Sequence, residues 1–346
     1  MVNDYPLVTV LMSVYNGEKY LCESIDSILN QTFRDYEFLI INDGSTDGTL
    51  EILHNYSQQD KRIRLHHQTN QGLIAALNKG LELARGKFIA RMDHDDVSLP
   101  ERLAIQLDFL KDHPAVGVLG SGARFMDSSG ITSDAVQFPI QHNVLRWCLC
   151  FLSPIVHPSV MMRRKIVERV GGYSTDMVHA EDYDLWRRLS CVTRLSNLQD
   201  VLLQLRKHET NVSTVHASEQ RRNTVRISSL MISHILNEEV PAGTVQSLWD
   251  QEFQTAYDVR PVAELVYRLY KAIVANDELS VIEKRAIRLD AARRLYGLTR
   301  PWVKNVSVWG VLARACYLDP LFVLRVVKRR FVRLFNMRPR HSCWSF

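Results

Sequence analysis

Residues 87–96 read KFIARMDHDD, an apolar run from Lys87 to Met92 that passes without a spacer into Asp93-His94-Asp95-Asp96. A short apolar run bounded by turn residues reads as a buried strand, and here the bounding turn is itself acidic. The same alternation recurs upstream. Gly72 to Ala84 places Leu73, Ala76, Leu77, Gly80, Leu81 and Ala84 on one helical face, and Ile63 to His66 is a strand before it. Tyr36 to Ile41 (YEFLII) is a strand that stops at Asn42-Asp43-Gly44-Ser45, and Leu7 to Val14 (LVTVLMSV) is the first, ending at Tyr15-Asn16-Gly17. Between them, helices carry Tyr20, Leu21, Ile25, Ile28 and Leu29, then Leu50, Ile52, Leu53 and Tyr56, the second with Thr46 or Asp47 as its cap. Strands apolar on both faces that alternate with helices predict a mainly parallel, Rossmann-like α/β sheet covered on both sides. Such sheets bind ligands outside the carboxyl ends of their strands. Tyr15-Asn16, Asp43 and the acidic triplet all stand at such ends, so polar groups converge on one rim.

Beyond about residue 120 the pattern is less regular. A strand is expected near Ile155 to Met162, helices over Arg163 to Val170 and Asp182 to Leu189, and a strand near Val201 to Arg206. Gly120-Ser121-Gly122 and Gly171-Gly172-Tyr173 read as turns, and His157-Pro158-Ser159 as the start of a strand. After about residue 217 the chain reads as helices, over Arg221 to Leu236, Val245 to Tyr257, Val262 to Val274 and Ser280 to Leu295, followed by a more apolar tail. The expected division is 1–216 as the α/β domain and 217–346 as a helical C-terminal region.

A length of 346 residues accommodates one large domain with a helical appendage. With 46% hydrophobic and 23% charged residues, the chain builds a core and lies far from disorder. A net charge of +5 is too mild to argue for nucleic acid. The cysteines (Cys22, Cys148, Cys150, Cys191, Cys316 and Cys343) form no CxxC pair and no zinc-finger spacing, so neither a disulfide framework nor a structural zinc site is expected. Met1 to Pro6 has no basic, then apolar, signal pattern, and no apolar stretch of about 18 residues would span a bilayer. Cytoplasmic residence is expected, with peripheral association at the membrane's cytoplasmic face. From Val306 the chain is apolar and aromatic (Trp309, Leu312, Tyr317, Leu321, Phe322, Val323). After Asp319 it carries Arg325, Lys328, Arg329, Arg330, Arg333, Arg338 and Arg340 with no acidic residue. Such a basic amphipathic segment suits an anionic lipid surface; its plain alternative is a helix with a solvated basic face.

The acidic triplet carries the sharpest chemistry. Its carboxylates repel one another unless a cation sits among them. Mg2+ and Mn2+ accept one or two protein carboxylates and complete their shells with substrate phosphates. One carboxylate can then reach the metal and another a sugar hydroxyl; the plain alternative is a solvated turn capping a helix near Leu99-Pro100. Asn42 to Gly48 is either a turn with a helix cap or a loop in which Asp43 accepts from the imide of a uracil or thymine. There is no Gly-Lys-Ser/Thr phosphate loop and no GxGxxG after the first strand. Glu181-Asp182 opens a helix, where acidic groups complement the dipole or where Asp182 serves as a general base. Arg206-Lys207-His208, with Asn211 and Ser213 close behind, ends the last strand, from which His208 can fold back toward phosphates or ligate manganese.

Taken in order, LVTVLMSVYNGEKYL, LIINDGSTDGT, TNQGLIAALNKGLELARGKFIARMDHDD, HPSVMMRRKIVERVGGY, AEDYDLWRRL and LRKHETNVS resemble family 2 of the inverting glycosyltransferases over roughly residues 5–215. The resemblance implies a GT-A (nucleotide-diphospho-sugar transferase) fold and transfer from a nucleotide sugar, with UDP favoured, onto a hydroxyl of a glycan or lipid-linked acceptor in surface polysaccharide or lipopolysaccharide synthesis. It implies Asp182 as catalytic base, Asp95 and His208 at a divalent metal (Mn2+ or Mg2+), and Val14, Tyr15, Asn16, Asp43, Asn70, Arg91, Asp93 and Glu181 around the nucleotide sugar. His94 departs from the pattern, which has a small residue there. A nucleotidyltransferase is the rival enzyme, but it would carry a glycine-rich basic loop near the N-terminus; the non-enzymatic rival is a nucleotide-sugar-binding protein that has lost catalysis.

Overall fold

The structure, a computed structural model, describes residues 5–130, 132–208 and 216–321. It forms two compact units, one ending at Met231 and the next beginning at Ile232. The division falls inside the helix Ala217–Leu236.

The first unit is built on a nine-stranded mixed sheet. Its strands are β1 Val8–Val14, β2 Tyr36–Asp43, β3 Ile63–Gln68, β4 Phe88–Asp93, β5 Val97–Ser98, β6 Val116–Met126, β7 Thr132–Val136, β8 Met161–Arg163 and β9 Arg194–Arg206, in the order β3-β2-β1-β4-β8-β6-β9-β5, with β7 paired to β6. β1 runs parallel to β2 and β4, and β2 parallel to β3. The register sets Val14 beside Asn42, Asp43 beside Gln68 and Ser13 beside Asp93, so these strands finish on one rim. The chain steps outward from β1 through β2 to β3 and then returns to the other side of β1 as β4. That reversal opens a crevice between the ends of β1 and β4, where ligands of such sheets bind.

Helices α1 Leu21–Leu29, α2 Thr49–Gln59, α3 Leu73–Leu83, α4 Arg102–Asp112, α5 His142–Cys148, α6 Arg164–Arg169 and α7 Glu181–Leu189 flank the sheet. Alternate residues of β1 (Val8, Val10, Met12, Val14), β2 (Tyr36, Phe38, Ile40) and β4 (Phe88, Ala90, Met92) share one buried cluster with Leu21, Ile25 and Ile28 of α1 and Leu103, Leu107 and Leu110 of α4. The opposite face receives α3 at close range: a Cβ on Gly80 would lie 2.2 Å from Leu11 Cδ1.

Past β4 the parallel rule breaks. β8 is antiparallel to both β4 and β6, while β9 runs parallel to β6. The strand expected over Ile155 to Met162 is confined to β8, because His157–Ser159 forms a turn of 3-10 helix instead. Gly120-Ser121-Gly122 is no turn. It lies within β6, at shifts of the β6–β9 register that together admit three extra residues on β9. Gly171 and Gly172 do turn the chain, at φ 81 and 70. The two residues of β5 pair with Leu203 and Gln204 near the end of β9, fastening the acidic loop to the strand that leads to His208.

The second unit holds the end of α8 (Ala217–Leu236) and then α9 Ala242–Asp250, α10 Val259–Val274, α11 Val281–Thr299 and α12 Trp309–Leu318. α10 buries Val259, Val262, Ala263, Leu265, Val266 and Leu269 along one stripe, and α11 packs with both α10 and α12. Ser280 and Glu283 close a reciprocal cap at the start of α11. No helix among the described residues is long and apolar enough to cross a membrane. Trp309, Tyr317 and Leu321 are exposed. Phe322, Val323 and the basic residues from Arg325 to Arg340 lie outside the described residues, as do Asn211 and Ser213.

Candidate functional site

At the end of β1 the side chain of Val14 is buried, Tyr15 is 48% exposed, and Asn16 takes a left-handed conformation (φ 51). Asparagine tolerates that region better than most residues. The turn aims Asn16 at the loop after β2, where Asn16 N donates to Ser45 Oγ (3.0 Å) and Asn16 Oδ1 accepts from Thr46 N (2.8 Å). Neither Thr46 nor Asp47 is the N-cap of α2, which is Gly48; Asp47, one residue earlier, accepts from Thr49 N through Oδ1 at 3.1 Å.

Asp43, 2% exposed, holds the next loop. Its Oδ1 accepts from Gln68 Nε2 (2.7 Å) and Gln71 N (2.9 Å), and its Oδ2 from Gly72 N (2.8 Å). A carboxylate has about four acceptor sites, so Oδ2 keeps capacity for one more donor. Asn70 is exposed, with its backbone against Gly44.

The acidic loop sits across the crevice. Donor oxygens of Asp93, Asp95 and Asp96 lie within 4.8 Å of one another, a spacing and chemistry that fit a hard divalent cation. Asp93 forms an ion pair with Arg91, which is 2% exposed; Arg91 Nε has no hydrogen-bond partner among the described residues. Burial opposes the Arg91 charge, yet Asp93, together with Tyr173 and Asp96, offsets it and the guanidinium pKa stands raised. His208 Nε2 meets Asp95 Oδ2 at 2.9 Å. Asp96 is 1% exposed; its Oδ1 accepts from Arg206 N at 2.8 Å, and its Oδ2 is unpartnered among the described residues. Burial first, then the Asp95 and Asp93 carboxylates, push Asp96 well above the usual carboxylate range. His94 is accommodated because residue 17 is glycine: a Cβ there would fall 2.6 Å from His94 Cδ2.

Glu181 and Asp182 begin α7. Burial, then the neighbouring Asp182, raises Glu181 to about 7. Burial likewise raises Asp182 to about 6, although its carboxyl accepts from Tyr183 N at 2.7 Å and feels Arg91. Asp93 and Arg91 act on both acids, so the α7 carboxylates and the acidic loop share one electrostatic neighbourhood. Beneath them His157 Nε2 lies 2.8 Å from the Tyr173 hydroxyl. Burial, then Arg91, keeps that imidazole well below its ordinary pKa and therefore neutral.

Asp93, Asp95, Asp182, Glu181, Arg91 and His208 are thus gathered in one region, and Tyr15, Asn16 and Asp43 stand on the adjoining rim. Sequence reasoning missed several contributors. Tyr20 stacks near His208 (5.3 Å between ring centroids) and under Arg206 (4.5 Å), and its hydroxyl has no partner among the described residues. Arg206 N holds Asp96, and its guanidinium holds Asp95 O (2.8 Å) and Glu23. Tyr20 had read only as an apolar helix position; Arg206 stood beside His208 in the sequence, a signal that could have been followed.

A family model for glycosyl transferase family 2 matches residues 9–171. An uncharacterized glycosyltransferase of Haemophilus influenzae is 35% identical over 243 residues, covering 67% of this chain and 75% of that protein. The O-antigen biosynthesis glycosyltransferase WbnJ of Escherichia coli is 34% identical over 206 residues, covering 58% and 80%. Among solved structures, S. aureus TarS 1-349 in complex with UDP-GlcNAc aligns with a TM-score of 0.56 at 19% identity, covering 90% of this chain and 88% of that one. The mannosyltransferase PcManGT of Pyrobaculum calidifontis, in complex with GDP-Man and Mn2+, aligns at 0.52 with 20% identity, covering 92% and 88%. These likenesses give the fold, that of the GT-A enzymes.

Proposed function

Because the chain belongs to glycosyltransferase family 2, we propose that it transfers a sugar, with inversion, from a nucleotide-diphosphate donor to a hydroxyl of a glycan or lipid-linked acceptor. The observation that carries the reading is the meeting of Asp95 with His208 beside an acid pair whose proton affinity is raised toward neutrality.

Asp182 is the base. Its carboxyl, raised to about 6, is ionised at neutral pH and still basic enough to accept the acceptor's hydroxyl proton as the oxygen attacks the anomeric carbon. Positioned bases of this kind contribute typically about 10²–10⁴-fold. Glu181, raised to about 7, keeps a proton available beside it and tempers the local negative charge. Arg91 fixes Asp93, which faces the ribose or diphosphate. Val14, Tyr15, Asn16, Asp43 and Asn70 form the nucleotide side, with the free capacity of Asp43 Oδ2 directed to a base imide.

Asp95 and His208 would hold a divalent Mn2+ or Mg2+, which neutralises charge developing on the leaving diphosphate. UDP is the favoured nucleotide, since UDP-GlcNAc is bound by a neighbour of the same fold, though another carries GDP-Man. Synthesis of a surface polysaccharide fits the O-antigen relative. The exposed Trp309, Tyr317 and Leu321, followed in the sequence by a basic tail, support contact with anionic lipid. Truncation near residue 305 should release the protein from membranes.

The test is a donor panel read by released nucleoside diphosphate, with and without chelator. Metal-dependent release from one nucleotide sugar, lost in Asp182→Asn with donor binding kept, supports the reading. Near-normal turnover in that variant removes Asp182 from the role.

A further inference from the structure

A second group of metal-capable side chains lies outside the acidic loop. His179, His216 and Glu219 place a ring nitrogen or carboxylate oxygen all within 4.8 Å of one another. We propose that these residues bind a divalent transition-metal ion of the zinc class, stapling the loop that leads into α7 to the start of α8.

His216 stands just before α8 and Glu219 in its first turn; three residues apart at a helix start, they share a face. His179 approaches from the loop before α7, in a left-handed conformation (φ 63) that a non-glycine residue adopts only when its surroundings fix it. That loop is anchored to α8 by an independent contact, Asn223 Nδ2 donating to Val178 O at 2.8 Å.

His179 Nε2 and Glu219 Oε2 are 3.5 Å apart, long for a hydrogen bond. The separation is close to the edge of about 3.4 Å in a tetrahedron built on zinc–ligand bonds of about 2.0–2.2 Å. The two imidazoles stack at 4.1 Å and 11°, an arrangement that a pair of imidazolium cations would resist. Coordination requires the rings to turn until each lone pair faces the ion, and His216, being exposed, can do so. Imidazole donors favour zinc, cobalt and nickel, whereas the carboxylates of the acidic loop favour magnesium and manganese. Three protein ligands leave a fourth position for water.

The full chain, stripped by chelation, is titrated with Co2+ and then Zn2+ in the presence of excess Mg2+. The expected result is the intense visible absorption of tetrahedral cobalt, bleached by Zn2+ and retained in Asp95→Asn. His216→Gln, at an exposed position, and Glu219→Gln should each weaken Zn2+ binding by at least about 100-fold, since even outer partners of metal ligands are worth about 10–100-fold. The site is refuted if Co2+ gives only an octahedral spectrum, or if Zn2+ binding survives both substitutions or disappears with Asp95→Asn. None of these readouts depends on sugar transfer, so the site stands or falls apart from the catalytic reading.

Discussion

In Asp182→Asn the side chain beside Glu181 and Asp93 loses its charge and keeps its shape, and the amide oxygen can still accept from Tyr183 N, which lies at 2.7 Å in the parent. Burial is the main reason the parent carboxyl sits near 6 rather than 3.8. Two pKa units correspond to about 3 kcal/mol of preference for the protonated form. Because the folded pKa is raised, the folded state binds the proton more tightly, and stability falls as pH rises between the two values. Below about 3.8 both states are protonated and nothing is lost; from there to about 6 the cost accumulates, and above about 6 it is constant. Asparagine never incurs it. At pH 7.5 the variant should therefore melt higher than the parent, by roughly 6–12 °C at about 2–4 °C per kcal/mol for a domain of this size. The margin should shrink to nothing near pH 3.5. Glycosyl transfer should meanwhile fall by about 10²–10⁴-fold. Thermal melts of the metal-free proteins at several pH values decide it. A variant that melts lower than the parent at pH 7.5, or a margin that does not change with pH, refutes the assignment of Asp182 as a charge buried at the expense of the fold.

The acid limb of kcat/KM should turn near pH 6, where Asp182 gives up its proton, and be absent from the residual activity of Asp182→Asn in a pH–rate profile. Arg102→Met should destabilise by about 1–3 kcal/mol in denaturant titration: it strips a donor from the buried carbonyl of Arg91 (2.7 Å) and one of two donors from Val160 O (3.2 Å), which keeps Arg91 N (3.0 Å). Gly17→Ala should raise the metal requirement of the reaction several-fold while melting within a few degrees of the parent, because the new Cβ displaces His94 and with it the loop; unchanged metal dependence would show that His94 has room to move. Asp43→Ala removes three hydrogen bonds that shape residues 68–72 and should raise the donor KM by 10-fold or more, about 1.4 kcal/mol, with kcat less affected.

The first four strands were legible because each is an apolar run ended by turn residues, and parallel order followed from alternation with helices. The region from 116 to 206 was not. Gly120 and Gly122 read as a turn, yet they lie in β6, a strand whose register with β9 shifts at that point. β8 is only three residues long and antiparallel, too short to show a period. Within the site, the carboxylates and His208 were visible from residue type and from position at strand ends. The burial of Arg102 was not, since a cation on a helix reads as solvent-facing, and Arg91 was named only through the resemblance; tertiary packing alone encloses both. The His179–His216–Glu219 group was invisible for a different reason. Its residues are separated by 37 and 3 positions, a spacing without a local signature, and the fold alone brings them together.

Asp95 and His208 meet across 113 residues of chain, with β5 clipped to β9 as the fastening between them. During synthesis the acidic loop therefore emerges from the ribosome long before its histidine, and the two halves cannot be joined until the final strand of the sheet has been laid down. On the proposed roles of Asp95 and His208, a nascent chain stalled anywhere short of that strand should be inert, with completion of the sheet and not the appearance of its acidic residues as the step that joins the two groups.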